Sequence, residues 1–328
     1  MAKKIISLIM ALLIVLSSVF VLASCNDNGG AAGNQGTNQG GSNNSGGGQQ
    51  SGGEDDENDP AGSDDAGSTG RYTNFDQKTD YGKNDTKIEF TDSKVTVSGD
   101  GASVSGTVVT INAEGTYVLS GSCTDGQVIV EVTVEEKVHL VFNGIKLICK
   151  ESAPVYVKSC DKTTITLVEG TTSTLQDGSG YTNLNVDGEP NACLFSKDDL
   201  SINGTGTLNV YANYNNGICT KDDLKIISGT INVTAKNHGL RGNDSVTIKD
   251  GTINIACKND AIKSSKDTKE DKGYVYIDGG NFTIDAGDDA LQAPLNITVV
   301  GGKFSIDAGG DVVNCDGSVS VANGLFEY

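Results

Sequence analysis

The stretch NGICTKDDLKIISGTINVTAKN, residues 216–237, is followed without a break by HGLRGNDSVTIKDGTINIACKN, residues 238–259, and the two are one unit written twice. Further copies begin at Asp260, Asp289 and Asp311, so the starts at 216, 238, 260, 289 and 311 lie 22, 22, 29 and 22 residues apart. Each copy holds short apolar runs in the same places. Ile218, Leu240, Ile262, Leu291 and Val313 open the unit. Leu224/Ile226, Val246/Ile248, Val275/Ile277, Ile297/Val299 and Val319/Val321 occupy its middle, and Ile231/Val233, Ile253/Ile255, Phe282/Ile284 and Phe304/Ile306 its end. A glycine precedes the last run at Gly229, Gly251, Gly280, Gly302 and Gly324, where a sharp turn calls for a residue that takes positive φ freely. The apolar spacing alternates as in strands, with no 3.6-residue period. One such unit cannot bury its own apolar side, so neighbours must stack. The repeat therefore predicts an all-β, single-stranded parallel β-helix, a solenoid of about 22 residues per rung.

Composition agrees with a stack of thin coils. The 328 residues include 43 glycines, no tryptophan and only 5% aromatics, too few bulky rings for an ordinary globular core. A formal net charge of -19 argues against nucleic acid or an anionic membrane surface as a direct partner, because either would need a basic face.

Ahead of the repeat, Lys3 and Lys4 precede an apolar run from Ile5 to Val21 and then Leu22-Ala23-Ser24-Cys25. The run is short for a membrane span and ends in a small-residue cleavage pattern. It resembles the lipobox of bacterial lipoproteins, which implies a signal peptide over residues 1–24 and a lipid on Cys25, anchoring an extracellular protein to the bacterial membrane by that lipid alone. Residues 25–70, rich in Gly, Asn, Gln and Ser with an acidic run at Glu54–Asp59, read as a flexible linker. Random-coil scaling lets such a linker hold the domain ~35 to 40 Å from its anchor. The folded domain is expected over residues 71–328. Its first half repeats less cleanly, yet strands are legible at Thr116–Leu119, Val128–Val132, Val138–Phe142, Val155–Lys158, Thr164–Val168 and Leu208–Tyr211. Lys197-Asp198-Asp199-Leu200 returns as Lys221-Asp222-Asp223-Leu224 and ties the halves together. The cysteines beyond Cys25 show no C-x-x-C spacing and read as small buried hydrophobes.

Two columns of the repeat carry candidate chemistry. Asn216, His238, Asp260, Asp289 and Asp311 stack at the unit start, flanked by Asn237, Asn259 and Asp288. Bare carboxylates about 4.8 Å apart on adjacent strands repel by roughly 3.5 kcal/mol at an effective dielectric near 20. Hard oxygen ligands converging from adjacent turns suit Ca²⁺, with Asp260, Asp288, Asp289, Asp311 and Asn259 as the candidate set. The plainer reading has each Asp capping nearby backbone amides. The second column lies three residues on and faces outward: Cys219, Arg241, Lys263, Gln292 and Asn314. Arg241 and Lys263 suit a sugar carboxylate, Gln292 and Asn314 its hydroxyls, and an exposed ring such as Tyr274 a sugar face; a surface salt-bridge network is the bland alternative. His238 reads as a turn residue.

At His238-Gly239-Leu240-Arg241-Gly242-Asn243-Asp244-Ser245-Val246, Asp260-Ala261-Ile262-Lys263-Ser264-Ser265 and Lys272-Gly273-Tyr274-Val275 the chain resembles the carbohydrate-binding parallel β-helix domain of bacterial surface lipoproteins. Gly115–Gly121 and Gly204-Thr205-Gly206-Thr207-Leu208 fit the same family. The resemblance implies a right-handed helix shaped like the calcium-dependent pectate lyases, binding acidic pectin (polygalacturonate) and also cellulose without cleaving them. It also implies Asp at the first two column slots, where this chain has Asn216 and His238. A calcium-dependent lyase, with Lys263 or Arg241 as base, and a purely structural surface protein are the competing classes.

Overall fold

The computed structural model describes residues 70–182, 184–268, 271–322 and 326–327; the expected leader, the Cys25 lipidation site and the linker up to residue 69 lie outside them. Among the described residues the protein is all-β, with strands in two long sheets and no helix. The repeat sets the register. Ile218, Leu240, Ile262, Leu291 and Val313 are successive parallel partners on a first face. Leu224, Val246, Val275, Ile297 and Val319 stack likewise on a second. Ile231, Ile253, Phe282, Phe304 and the backbone of Phe326 do so on a third. The insertion that lengthens one copy lies between the first-face strand ending at Ser264 and the second-face strand beginning at Tyr274, so the pairing Ile262↔Leu291 stays in step. The first half follows the same plan, with Val155, Leu194 and Ile218 in one parallel row and Leu140, Ile165, Ile202 and Ile226 in another.

The inward rows make a continuous apolar core in which Leu224, Ile231, Leu240, Val246, Ile253, Ile262 and Leu291 are all 0% exposed. Phe282 and Phe304 lie face to face, ring centroids 4.3 Å apart and 3° from parallel. The turns before the third face are built as their glycines require: Gly229, Gly251, Gly280 and Gly302 have φ between +110° and +132°. Six of the seven described cysteines are buried and Cys315 half-buried, all as free thiols.

The expectation of uniform parallel pairing fails at the beginning. Thr86–Phe90 with Val95–Ser98, and Ala102–Ser105 with Val108–Ile111, are antiparallel hairpins. A parallel stack ends in a row of unpaired N–H and C=O groups, and a hairpin folded over that edge blunts it. A strap, residues 71–80, then crosses the outside of the second face. Its anchor is Asp76, 0% exposed, which meets Lys162 at 3.1 Å, Lys225 at 3.4 Å and the Ser201 hydroxyl at 2.6 Å. Burial alone would raise the Asp76 pKa; the two ammonium groups and Ser201 outweigh it and hold the carboxyl below its ordinary range. At the strap's start Arg71 sits 3.5 Å over the Tyr276 ring and Tyr72 donates to Asp278. The strap occupies the second face and leaves the outer side of the first to the two columns.

Candidate functional site

The first face is made of very short strands in the repeat, among them Leu240–Gly242, Ile262–Ser264 and Leu291–Ala293. With the Leu or Ile that opens the unit turned inward, the next residue must point out. Cys219, Arg241, Lys263, Gln292 and Asn314 accordingly stand in register on the outer side, the last four half-buried. This is the second column expected from the sequence.

The first column lies beside it and is built as a ladder of side chain onto backbone. The Asn216 side-chain oxygen accepts the His238 N–H at 3.3 Å, Asp260 Oδ1 the Asp289 N–H at 3.2 Å, and Asp289 Oδ1 the Asp311 N–H at 2.7 Å. Each side chain thus fixes the start of the following rung. The remaining oxygens are met from the second column: Lys263 Nζ donates to Asp260 Oδ2 at 2.8 Å and the Asn314 amide to Asp289 Oδ2 at 2.6 Å. The carboxylates are therefore not bare. Capping, the plainer of the two readings the sequence left open, and the second column satisfy the two buried ones, Asp260 at 2% and Asp289 at 5% exposure.

A charge imbalance persists. Asp260, Asp288 and Asp289 bring one oxygen each to within 4.8 Å of one another, and among the described residues Lys263 supplies the one cation bonded to them. Asp289 and then Asp260 push the exposed Asp288 carboxyl above its ordinary pKa, as electrostatic crowding requires. His238 adds no compensating charge: burial, reinforced by Lys263 and opposed by Asp260, pushes its pKa down to about 4, and its Nδ1, 3.3 Å from Asp260 Oδ2, is not aligned for a hydrogen bond. Three carboxylates against one ammonium leave two negative charges in a space that Gly310 keeps clear, since a Cβ there would fall 2.5 Å from Asp289 Oδ1 and 2.6 Å from Asp288 Oδ1. An all-oxygen donor set, a residual double charge and a cradle without a side chain fit a hard divalent cation.

Other candidates are placed differently. Asp311 lends its backbone N–H to Asp289 and its carboxylate is outside the close triad. Asn259 turns its amide to Asn237 at 2.6 Å, in a separate ladder. Arg241 donates from Nε to Ser265 at 3.0 Å, and the buried Oε1 of Gln292 has no partner among the described residues. Tyr274 is not on this face: it begins a second-face strand and lines an acidic cleft of about 260 Å³ with Asp199, Asp222, Asp223, Asp244, Asp271 and Lys272. Burial raises the Asp222 carboxyl to about 6, Asp199 and Asp244 adding to the effect, while Lys272 bonds Asp244. The repeated Lys-Asp-Asp-Leu was the signal for that cleft; sequence reasoning used it only to align the halves.

A parallel stack presenting ranked carboxylates, cations and amides on one outer face has the architecture of a carbohydrate-binding solenoid-like domain. Residues 105–326 match the family described as "Carbohydrate-binding domain-containing protein", and the chain belongs to it. A relative of that description from Acetivibrio thermocellus is 43% identical over 151 residues, 45% of this chain and 53% of the relative, so the chain spans about half of that protein. A solved structure, "the polysaccharide lyase-like protein from C. thermocellum, Gadolinium derivative", superposes with a TM-score of 0.72 at 40% identity, over 74% of this chain and 98% of the other.

Proposed function

We propose that the protein is a non-catalytic, extracellular polysaccharide-binding lipoprotein, tethered through a lipid on Cys25, whose right-handed β-helix takes acidic pectin on its first face with Ca²⁺ assisting. The observation that carries this reading is the interlock of the two columns, Lys263 on Asp260 and Asn314 on Asp289 beside the crowded triad. A chain of net charge -19 repels a polyuronate, so attraction has to be local and borne by cations. Arg241 and Lys263 supply two of them. Asp260, Asp288 and Asp289 would hold a third, and a bound calcium would supply direct ligation of a uronate carboxylate. Gln292 and Asn314, next along the row, suit sugar hydroxyls. Neutral glucan such as cellulose would depend on such hydroxyl contacts alone.

The rival reading is a calcium-dependent lyase, favoured by what the structural neighbour is called. Uronide elimination needs a base that takes the proton beside the carboxylate. Lys263, at 2.8 Å from Asp260, is committed to an ion pair, and Arg241 is a poor base by its chemistry. Incubation with polygalacturonate and Ca²⁺ separates the readings: binding predicts sedimentation with the polymer and no ultraviolet absorbance from unsaturated uronides. Arg241→Gln should weaken that sedimentation. Rising absorbance would establish the lyase, and no retention of the wild-type protein by any glycan would leave the structural class.

A further inference from the structure

The outer row of the first face does not stop at Cys219. It continues on the preceding rungs as Phe195 and Tyr156, in unbroken parallel register. Yet the row changes character there, because Phe195 is 0% and Cys219 2% exposed although both point away from the core. An excursion leaves between the strands Thr172–Asp177 and Ala192–Ser196 and brings Tyr181 onto them. Tyr181 from this excursion packs against the Ala192, Phe195 and Cys219 cluster, and its hydroxyl lies 3.0 Å from the Ala192 carbonyl and 2.8 Å from Asp177. The ring is also stacked on Tyr214, centroids 4.1 Å apart. The far side is pinned by Glu189, 3% exposed, which pairs with Lys221 at 2.6 Å. The wall is thus held at several points on successive rungs. It ends where the half-exposed row of Arg241, Lys263, Gln292 and Asn314 begins.

Resting on the reading of this face as a polyuronate site, we propose that the site is closed at its Cys219 end and takes the end of a polyuronate chain, not an internal stretch. The recognition groups are ranked along the stack, one per strand about 4.8 Å apart, so a polymer that uses them in sequence must run along the row. Running in one direction it meets the wall of Tyr181 and Glu189. The charges around that closed end suit a terminal uronate: Arg241 is the parallel partner of Cys219 on the next strand, and Lys221, two residues beyond Cys219, is paired with Glu189 at 2.6 Å. A terminal carboxylate can compete with Glu189 for Lys221 and take the Arg241 guanidinium, a group suited to paired hydrogen bonds. An internal residue cannot reach that spot without driving its neighbour into the Tyr181 stack.

The test counts ends. The full-length protein, in calcium, is titrated calorimetrically with polygalacturonate and with the same uronate mass after partial hydrolysis to graded mean lengths. End recognition requires the protein bound per unit mass at saturation to rise in proportion to the number of chain ends, doubling when mean length is halved. A stoichiometry fixed by uronate mass whatever the length overturns the closed end and leaves the uronate-binding face intact. Absence of binding to every preparation overturns that face, and the closed end with it.

Discussion

Replacing Gly310 by alanine is a sharp probe of the acidic triad because it removes no ligand atom. The new Cβ would lie 2.5 Å from Asp289 Oδ1, 2.6 Å from Asp288 Oδ1 and 3.1 Å from the Asp288 carbonyl carbon. The first two are distances that real contacts do not show, so the carboxylates must move. Asp289 Oδ1 is the atom that accepts the Asp311 N–H at 2.7 Å, and its displacement breaks a charge-assisted bond that fixes the next rung. Losing that bond and overpacking the turn each cost ~1 to 3 kcal/mol, so Gly310→Ala should destabilise by ~2 to 6 kcal/mol, which at the lower end is a fall of roughly 4 to 8 °C in Tm for a domain of this size. The decisive readout is the response to calcium. Wild type should gain ~2.7 kcal/mol at a hundredfold excess of calcium over Kd, by mass action. The variant should gain almost nothing. The assay is thermal unfolding of both proteins in chelator and in graded calcium. A variant destabilised in chelator but stabilised by calcium as much as wild type would refute the placement of the ion between Asp288 and Asp289.

The other predictions concern the frame around the site. Phe282→Ala should destabilise by ~3 to 5 kcal/mol by opening a cavity under the stacked Phe304 ring, read by denaturant unfolding; a loss below 1 kcal/mol would mean the stack does not hold the core. The chain's two histidines, His139 and His238, are both pushed down to about 4 by burial. The unfolded chain binds protons near pH 6.5 that the native state refuses, so stability should fall as pH drops from 6.5 to 4, by up to ~3 kcal/mol for each histidine. An imidazole resonance titrating near pH 6.5 in the native protein would refute this. Asp76 has the opposite origin. Its depressed carboxyl stabilises fully above pH ~4 and the contribution is lost as pH falls through the folded-state value. Asp76→Asn, leaving Lys162 and Lys225 without that partner, should cost ~3 kcal/mol at neutral pH and free the strap to hydrogen exchange. Unchanged protection of residues 71–80 would dissociate the strap from its ion pairs.

The core was legible because a solenoid writes its register into the chain. The same slot recurs every 22 residues, but for the one longer copy, so Ile231, Ile253, Phe282 and Phe304 could be stacked on paper, and their parallel pairing follows from the repeat. The outward column was legible for the same reason. Legibility ended where the contact depends on side-chain direction between rungs. Capping of the Asp289 amide by Asp260 was one of the two readings open from the sequence, but that Asn314 reaches back to Asp289 follows from no local rule. Tyr274, grouped in the sequence with the sugar-binding candidates, starts the second-face strand that Val275 and Ile277 already marked. The strap and the wall escaped notice because neither repeats: Asp76 pairs with lysines 86 and 149 residues away, at 162 and 225. Tyr181 covers its cluster from an irregular excursion.

The central claim, that calcium on the triad joins an acidic protein to an acidic polymer, is tested most directly by retention on polygalacturonate in calcium and in excess chelator, for wild type and Asp289→Ala side by side. Asp289 contributes an oxygen to the triad and accepts from both Asp311 and Asn314, so its removal should reproduce the effect of the chelator: strong retention of wild type in calcium, and weak retention in the other three conditions. Retention of wild type in excess chelator as strong as in calcium would contradict the calcium bridge and leave Arg241 and Lys263 to hold the polymer unaided.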